Sequence, residues 1–150
     1  LLALAEQLGC GVDLHVDESD RQPGRGVALV ARLALEQRSR VPITCSHSCS
    51  MALLGERALD RLADQMAAAG LGVVALPLTN QWLLGRRHGQ TPVQRAQAPI
   101  RCLQRAGVKV AVGANKAPLA VDKMAESKAP KNKIWAHIGI WPKTKSGKMR

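Results

Sequence analysis

The first 113 residues of the chain change repeatedly between two hydrophobic periods. Alternation with a period of two predicts strands over 12–16 and 41–47, and short apolar runs typical of buried parallel strands occupy 71–78 and 108–113. Apolar residues recur every three or four positions in longer segments between them, which predicts helices over 1–9, 25–38, 50–70 and 91–107. Residues 79–90 carry neither pattern and are expected to form a long loop.

The order and spacing of these elements predict the fold class. The predicted strands are centred near residues 14, 44, 74 and 110, with one helix between each pair. That spacing is typical of βα units, whose strands lie parallel with right-handed crossovers. We therefore predict an α/β fold of four consecutive parallel βα units, about half of a TIM-type (β/α)8 barrel. A doubly wound open sheet is the alternative, although no strand is followed by a glycine-rich phosphate loop.

Basic residues change in kind near residue 115, which predicts a domain boundary there. Residues 1–115 contain 12 Arg, one Lys and nine acids, whereas residues 116–150 contain eight Lys, one Arg and only two acids. We therefore expect a partial barrel over 1–115 and a basic, flexible tail over 116–150. The net charge of +11 comes mostly from this tail, and no interleaved aromatic platform accompanies it, so no specific nucleic-acid site is expected.

Composition limits the setting of the protein. No apolar run reaches the roughly 20 residues of a membrane-spanning helix, and the first residues lack a basic signal-peptide start, so we expect a cytoplasmic protein without a membrane partner. The four cysteines lie in apolar segments without zinc-ribbon spacing, which favours reduced, buried thiols over a metal knuckle.

Candidate chemistry is concentrated at the ends of the first two predicted strands. In GVDLHVDESD (11–20), four acids surround His15, and His47 is the last residue of the second strand. Active sites of parallel α/β barrels lie at these strand ends, and histidines with a carboxylate are the groups of a metal-dependent hydrolase. The alternative is that these histidines are structural or surface residues.

Four segments in order carry a family resemblance: VDLHVDES, ITCSHSCSMAL, VVALPLTNQWLLGR and TPVQRAQAPIRCLQRAGVKVAVG. Together they resemble the second half of a cytosine deaminase-like enzyme of the amidohydrolase superfamily. The resemblance covers residues 1 to about 115. It implies a divalent metal, zinc or iron, and a small heterocyclic substrate.

The same resemblance implies roles for individual residues. His15 of the HxDE motif corresponds to a metal ligand, and Glu18 corresponds to the glutamate that shuttles protons. His47 of the SH motif corresponds to a residue that contacts the metal-bound water or stabilises negative charge. Asn80 and Arg86 lie in a loop that the resemblance places over the substrate. Asp17 and Asp20 are then expected to flank the metal from a second layer, and Asp13 to line the wall.

Two departures from the family affect the expected function. The paired histidines of the family's first strand do not occur here, and VAVGANK places Ala114 or Asn115 where an aspartate ligand is expected. The sequence therefore predicts a fragment of a metal-dependent amidohydrolase or deaminase that hydrolyses C–N bonds of a nitrogen heterocycle such as cytosine. The alternative is a non-catalytic half-barrel that associates through open sheet edges.

Overall fold

The computed structural model describes residues 1–84, 97–113 and 138–142. Its helices and strands follow the predicted order. The helices are α1 (Leu2–Leu8), α2 (Arg25–Glu36), α3 (Glu56–Ala68), α4 (Pro77–Leu84) and α5 (Ile100–Arg105), with a 3₁₀ helix over Cys49–Leu53. The strands are β1 (Cys10–Val16), β2 (Ile43–His47), β3 (Gly72–Ala75), β4 (Lys109–Val112) and β5 (Ile138–Pro142).

One sheet holds all five strands in the order β4-β3-β2-β1-β5. Strands β1 to β4 are parallel and lie beside their neighbours in sequence, with His15 opposite Ser46 and Val16 opposite His47. The predicted α/β class and its four consecutive parallel βα units are therefore confirmed. Parallel strands end at one edge of the sheet, so the residues that follow β1 and β2 lie side by side.

Helices α2 and α3 pack against the sheet because each carries one apolar stripe. Val27, Ala31 and Ala34 of α2 are buried, as are Leu62 and Met66 of α3. Their facing residues in the strands include Val12, Ile43, Cys45 and Val73, all buried in the same core. Leucine, valine, alanine and methionine fill this core without any Phe or Tyr.

Two predicted elements are divided or shortened in the structure, and within the helix predicted over 91–107 α5 begins only at Ile100. The helix predicted over 50–70 is interrupted at Leu54 and Gly55, where the backbone is extended, and α3 begins only at Glu56. The strand predicted over 71–78 ends at Ala75, and α4 then occupies the first part of the predicted loop. Pro77 explains this second difference, because proline lacks a backbone N–H and its fixed φ suits the first turn of a helix.

Strand β5 lies within the segment that was expected to form a basic, flexible tail. Residues 138–142 pair antiparallel with β1, with Val12 opposite Ile140. An unpaired strand edge favours addition of a further strand, and the apolar residues Ile138, Ile140 and Trp141 have high β propensity. Two open sheet edges were expected, and β4 and β5 are the two edge strands of the described sheet. The rest of 116–150 lies outside the described residues, so the boundary near residue 115 stays a prediction.

None of the helices in the described part of the chain combines the length and the apolar character needed to cross a membrane.

Candidate active site

His15, Glu18 and His47 come together at the carboxyl ends of β1 and β2. The imidazole rings of His15 and His47 have centroids 5.0 Å apart and meet edge to face at 61°. Glu18 Oε2 lies 3.7 Å from His47 Nε2. One ligand atom from each of the three side chains lies within 4.8 Å of the other two. The predicted strand-end residues thus form one cluster.

The three side chains of this cluster differ in exposure. His47 is buried, with 4% of its side chain accessible, whereas the side chains of His15 and Glu18 remain 30% and 34% accessible. The cluster therefore opens to solvent on the side of His15 and Glu18. His47 forms its inner wall.

Backbone conformation brings His47 towards His15. His47 lies beside Val16, and strand alternation puts Val16 on the opposite face of the sheet from His15. However, His47 has a φ of 71° and Ser48 a φ of 47°, both in the left-handed region. The left-handed backbone ends the alternation at His47, and its ring packs against that of His15. Left-handed residues with side chains are uncommon and concentrate at functional sites.

Asp17 holds the loop that carries Glu18. It also has a left-handed φ, 58°, and its two carboxylate oxygens accept hydrogen bonds from the backbone N–H groups of Gly26 and Val27, each 2.9 Å long. Burial raises the pKa of Asp17, and these two hydrogen bonds partly offset the increase. A Cβ atom at Gly26 would lie only 3.1 Å from Asp17 Oδ1, so glycine allows this close approach. Asp17 is thus occupied with the first turn of α2, whereas Asp20 is exposed.

Asp13 joins β1 to β2 beside the histidines. Ser46 Oγ donates a 2.8 Å hydrogen bond to Asp13 Oδ1, and Asp13 Oδ2 lies 3.8 Å from His15 Nε2. The sequence pattern predicts no role for Ser46 and places Asp13 in the wall of the site. Asp13 lies two residues before His15 on β1, and Ser46 lies opposite His15 on β2, so their contact becomes visible only once the register is known.

Asn80 binds His47 from α4. It is completely buried, and its Oδ1 lies 2.7 Å from His47 Nδ1. Its Nδ2 has no hydrogen-bond partner among the described residues. The sequence predicted Asn80 as a substrate contact, and the structure adds this bond to the buried histidine. Arg86, the other predicted substrate contact, lies outside the described residues.

The cysteines around His47 are uncharged thiols. Burial raises the pKa of Cys45 and of Cys49 to about 12, with nearby acids adding to the effect. Metal ligation by cysteine requires the thiolate. Three of the four cysteines are buried, Cys102 is partly exposed, and none of them forms a disulfide.

The donor set of the cluster fits a divalent transition metal. Imidazole nitrogen and carboxylate oxygen are common ligands of zinc and also bind iron. His15, Glu18 and His47 supply such atoms within 4.8 Å of one another. The side chains present are therefore chemically suited to a zinc or iron ion.

Comparison with known proteins shows that the chain is similar to deaminases and to an aminohydrolase. No family model matches it. It is 33% identical over 115 residues to a pterin deaminase of Rhizobium rhizogenes, a match that covers 77% of this chain and 26% of that protein. A crystal structure of 5-methylcytosine deaminase from Klebsiella pneumoniae with 5-fluorocytosine superposes with a TM-score of 0.65 and 27% identity, covering 75% of this chain and 27% of that one.

A third similar protein is an aminohydrolase. N-isopropylammelide isopropylaminohydrolase from Burkholderia multivorans superposes with a TM-score of 0.55 and 25% identity, over 77% of this chain and 26% of that one. The matched fold is α/β, with four parallel strands and their helices, consistent with part of a barrel. The resemblance to cytosine deaminase-like amidohydrolases is thereby confirmed for about three quarters of the chain. The chain spans about a quarter of the length of these relatives.

Proposed function

We propose that this chain forms part of the active site of a metal-dependent deaminase acting on a nitrogen heterocycle such as cytosine. In this reaction an amino group on a ring carbon is replaced by oxygen from water, and ammonia is released. The observation that carries the proposal is the convergence of His15, Glu18 and His47 at adjacent strand ends. The deaminases and the aminohydrolase among its relatives support this reaction class.

His15 would hold the metal in this proposal. A bound zinc or iron ion would lower the pKa of water towards 7 and so supply a nucleophile at neutral pH. His15 is suited to this role because its ring is partly accessible at the open side of the cluster. Asp13, near His15 and bonded to Ser46, limits the orientations open to the ring.

Glu18 would move the proton. Its carboxylate is partly exposed and lies near His47, so it is able to take a proton from water and deliver it to the departing nitrogen. Asp17 supports this function by fixing the residue before Glu18 on the first turn of α2. His47 would contact the same water from the buried side of the cluster.

Asn80 and Arg86 are the proposed substrate contacts. Asn80 Nδ2 is a buried donor with no partner among the described residues, and an unsatisfied buried donor costs roughly 1–3 kcal/mol. An acceptor atom of a heterocyclic ring would complete its hydrogen bonding. Arg86 is carried by the resemblance alone.

Metal binding by the 150-residue chain tests the role of His15. His15 is the one metal ligand in this proposal, and a single imidazole binds a divalent ion weakly. We therefore expect the purified chain to be metal-poor and to take up zinc only when zinc is added. His15→Ala should weaken zinc binding by more than roughly tenfold, because it removes the ligand itself. Glu18→Gln should leave zinc binding in place. Equal zinc affinities for the wild type and His15→Ala, measured by calorimetry, would contradict the assignment.

Ammonia release tests the reaction. Residues 1–113 would replace the matched segment of the Klebsiella 5-methylcytosine deaminase, whose remaining sequence completes the pocket. In this chimera Glu18→Gln should lower kcat by about 10²–10⁴-fold at unchanged zinc content, since proton transfer is lost. The matched control is Glu36→Gln, an exposed carboxylate on α2 that pairs with Arg32. If both variants turned over at the same rate, Glu18 would have no catalytic role.

The second candidate function is association through the open edge of β4. Val112 is 65% exposed on this strand, and an exposed apolar strand edge favours pairing with another chain. We expect the chain to form dimers in sedimentation experiments and Val112→Lys to shift them towards monomers. Leu4→Lys, at an exposed leucine of α1, is the control. A chain that is monomeric at all concentrations tested would exclude this candidate.

A further inference from the structure

The hydrogen bond between Asn80 and His47 determines more than the position of a ring. Both groups are buried, and the 2.7 Å distance joins Asn80 Oδ1 to His47 Nδ1. A carboxamide oxygen only accepts hydrogen bonds, so the ring nitrogen that faces it must carry a proton. In a neutral imidazole the other nitrogen then has a free lone pair.

We propose that Asn80 is a positioning residue that holds His47 as its Nδ1–H tautomer, with Nε2 as a hydrogen-bond acceptor. At the other ring nitrogen, Glu18 Oε2 lies 3.7 Å from Nε2, and the His15 ring packs edge to face against the His47 ring. Two acceptors therefore face each other at the mouth of the cluster. The bond to Asn80 makes that arrangement possible, because it occupies the single ring proton on the buried side.

The tautomer gives His47 a specific task, and this consequence rests on the proposed function. A water molecule between Nε2 and the Glu18 carboxylate would donate one O–H to each, leaving its oxygen lone pairs to face His15. Neutral His47 would thus orient the water as an acceptor. To stabilise negative charge by donation from Nε2, it would first have to take up a proton.

The helix that carries Asn80 is suited to holding the amide in place. The Asn80 backbone N–H donates to Leu76 O at 2.9 Å, within the first turn of α4 that follows Pro77. The side chain is fully enclosed, so rotation of the amide has little room. Gln81, the next residue of the same helix, is exposed and serves as a matched control.

Histidine ¹⁵N NMR on the 150-residue chain tests the proposal directly. Long-range proton–nitrogen correlations, recorded at a pH above the range in which imidazole titrates, distinguish the two neutral tautomers. The His47 signal is identified by its loss in His47→Gln. We expect wild-type His47 as Nδ1–H. Asn80→Leu removes the acceptor at Nδ1 and leaves Glu18 as the available one, so the Nδ1 and Nε2 signals should exchange their positions. Asn80→Asp keeps an oxygen acceptor and should retain the wild-type pattern.

The outcomes separate this inference from the proposed function. An Nε2–H tautomer in the wild type would overturn it, as would a tautomer that is the same in wild type and folded Asn80→Leu. Gln81→Leu should leave the signals unchanged. If Asn80→Leu fails to fold, the wild type and Asn80→Asp still decide between the tautomers. The measurement uses neither metal nor turnover, so a chain that fails to bind zinc or release ammonia leaves its result intact.

Discussion

The loops at both ends of the sheet contain left-handed backbone conformations, but different residue types adopt them at the two ends. At the amino ends, α1, α3 and α5 stop at glycines with left-handed φ values: Gly9 (64°), Gly70 (67°) and Gly107 (90°). Each glycine is followed by a buried apolar residue or cysteine that enters the core. At the carboxyl ends, left-handed conformations occur at Gly24 and also at three residues with side chains: Asp17, His47 and Ser48.

This difference distinguishes the end of the sheet that serves stability from the end that carries the candidate site. Glycine adopts a left-handed backbone conformation without a steric penalty. For a residue with a Cβ atom, this conformation costs roughly 1–2 kcal/mol of conformational free energy. At the carboxyl ends hydrogen bonds offset that cost. Ser48 N–H donates to Val16 O at 3.0 Å, and Ser50 N–H donates to Asp17 O at 2.9 Å. The loops after β1 and β2 are therefore bound to each other, and this holds Glu18 and His47 in one cluster.

The largest effect on stability is expected for removal of the Asp17 carboxylate. Asp17→Ala leaves the N–H groups of Gly26 and Val27 without their acceptors, so we expect the free energy of unfolding to fall by about 2 kcal/mol. Asp17→Asn keeps one acceptor oxygen and should lose less. Asp64→Ala, at an exposed acid of α3, is the control. Urea unfolding followed by circular dichroism measures all three, and equal stability of the two alanine variants would show that the loop is not held by Asp17.

A smaller effect is expected at the opposite end of the sheet. Gly70→Ala and Gly55→Ala both place a Cβ atom where no heavy atom lies within 4 Å, but only Gly70 is left-handed. Gly70→Ala should therefore lower the free energy of unfolding by roughly 1 kcal/mol, from backbone strain alone. Gly55→Ala should change it by less. If the two variants were equally stable, backbone conformation would not distinguish the two ends of the sheet.

The smallest effect should have the opposite sign. Arg38 follows α2 with a φ of 47°, and it is exposed where the other helices preceding strands have glycine. Arg38→Gly removes that strain, so we expect a gain of about 0.5 kcal/mol after allowing for the greater flexibility of glycine in the unfolded chain. Arg40→Gly at a nearby exposed arginine is the control. A thermal melt in which Arg38→Gly unfolds earlier than Arg40→Gly would contradict this account.

Prediction from sequence succeeded where local pattern and physical role coincide. The βα spacing predicts four parallel strands, because each strand-helix unit must bury its apolar stripe against a neighbour. His15 and Glu18 lie on one short segment, so their proximity follows from sequence distance. Prediction from sequence failed at Pro77, because α4 begins there inside a continuous apolar run that resembles a strand. It also failed at Gly55, where an extended residue interrupts a segment with regular helical spacing of apolar residues.

The sequence by itself determined the parallel α/β class, the strand-end location of the histidines and the relationship to amidohydrolases, because hydrophobic period and short motifs encode these properties locally. Only the tertiary structure decided how His47 meets His15, since alternation alone assigns His47 to the other face and the left-handed backbone redirects it. It also decided that Asn80 binds His47 and that residues 138–142 pair with β1. These contacts join residues 33 or more positions apart. They depend on strand register and helix packing, which the local pattern of the amino-acid sequence does not specify.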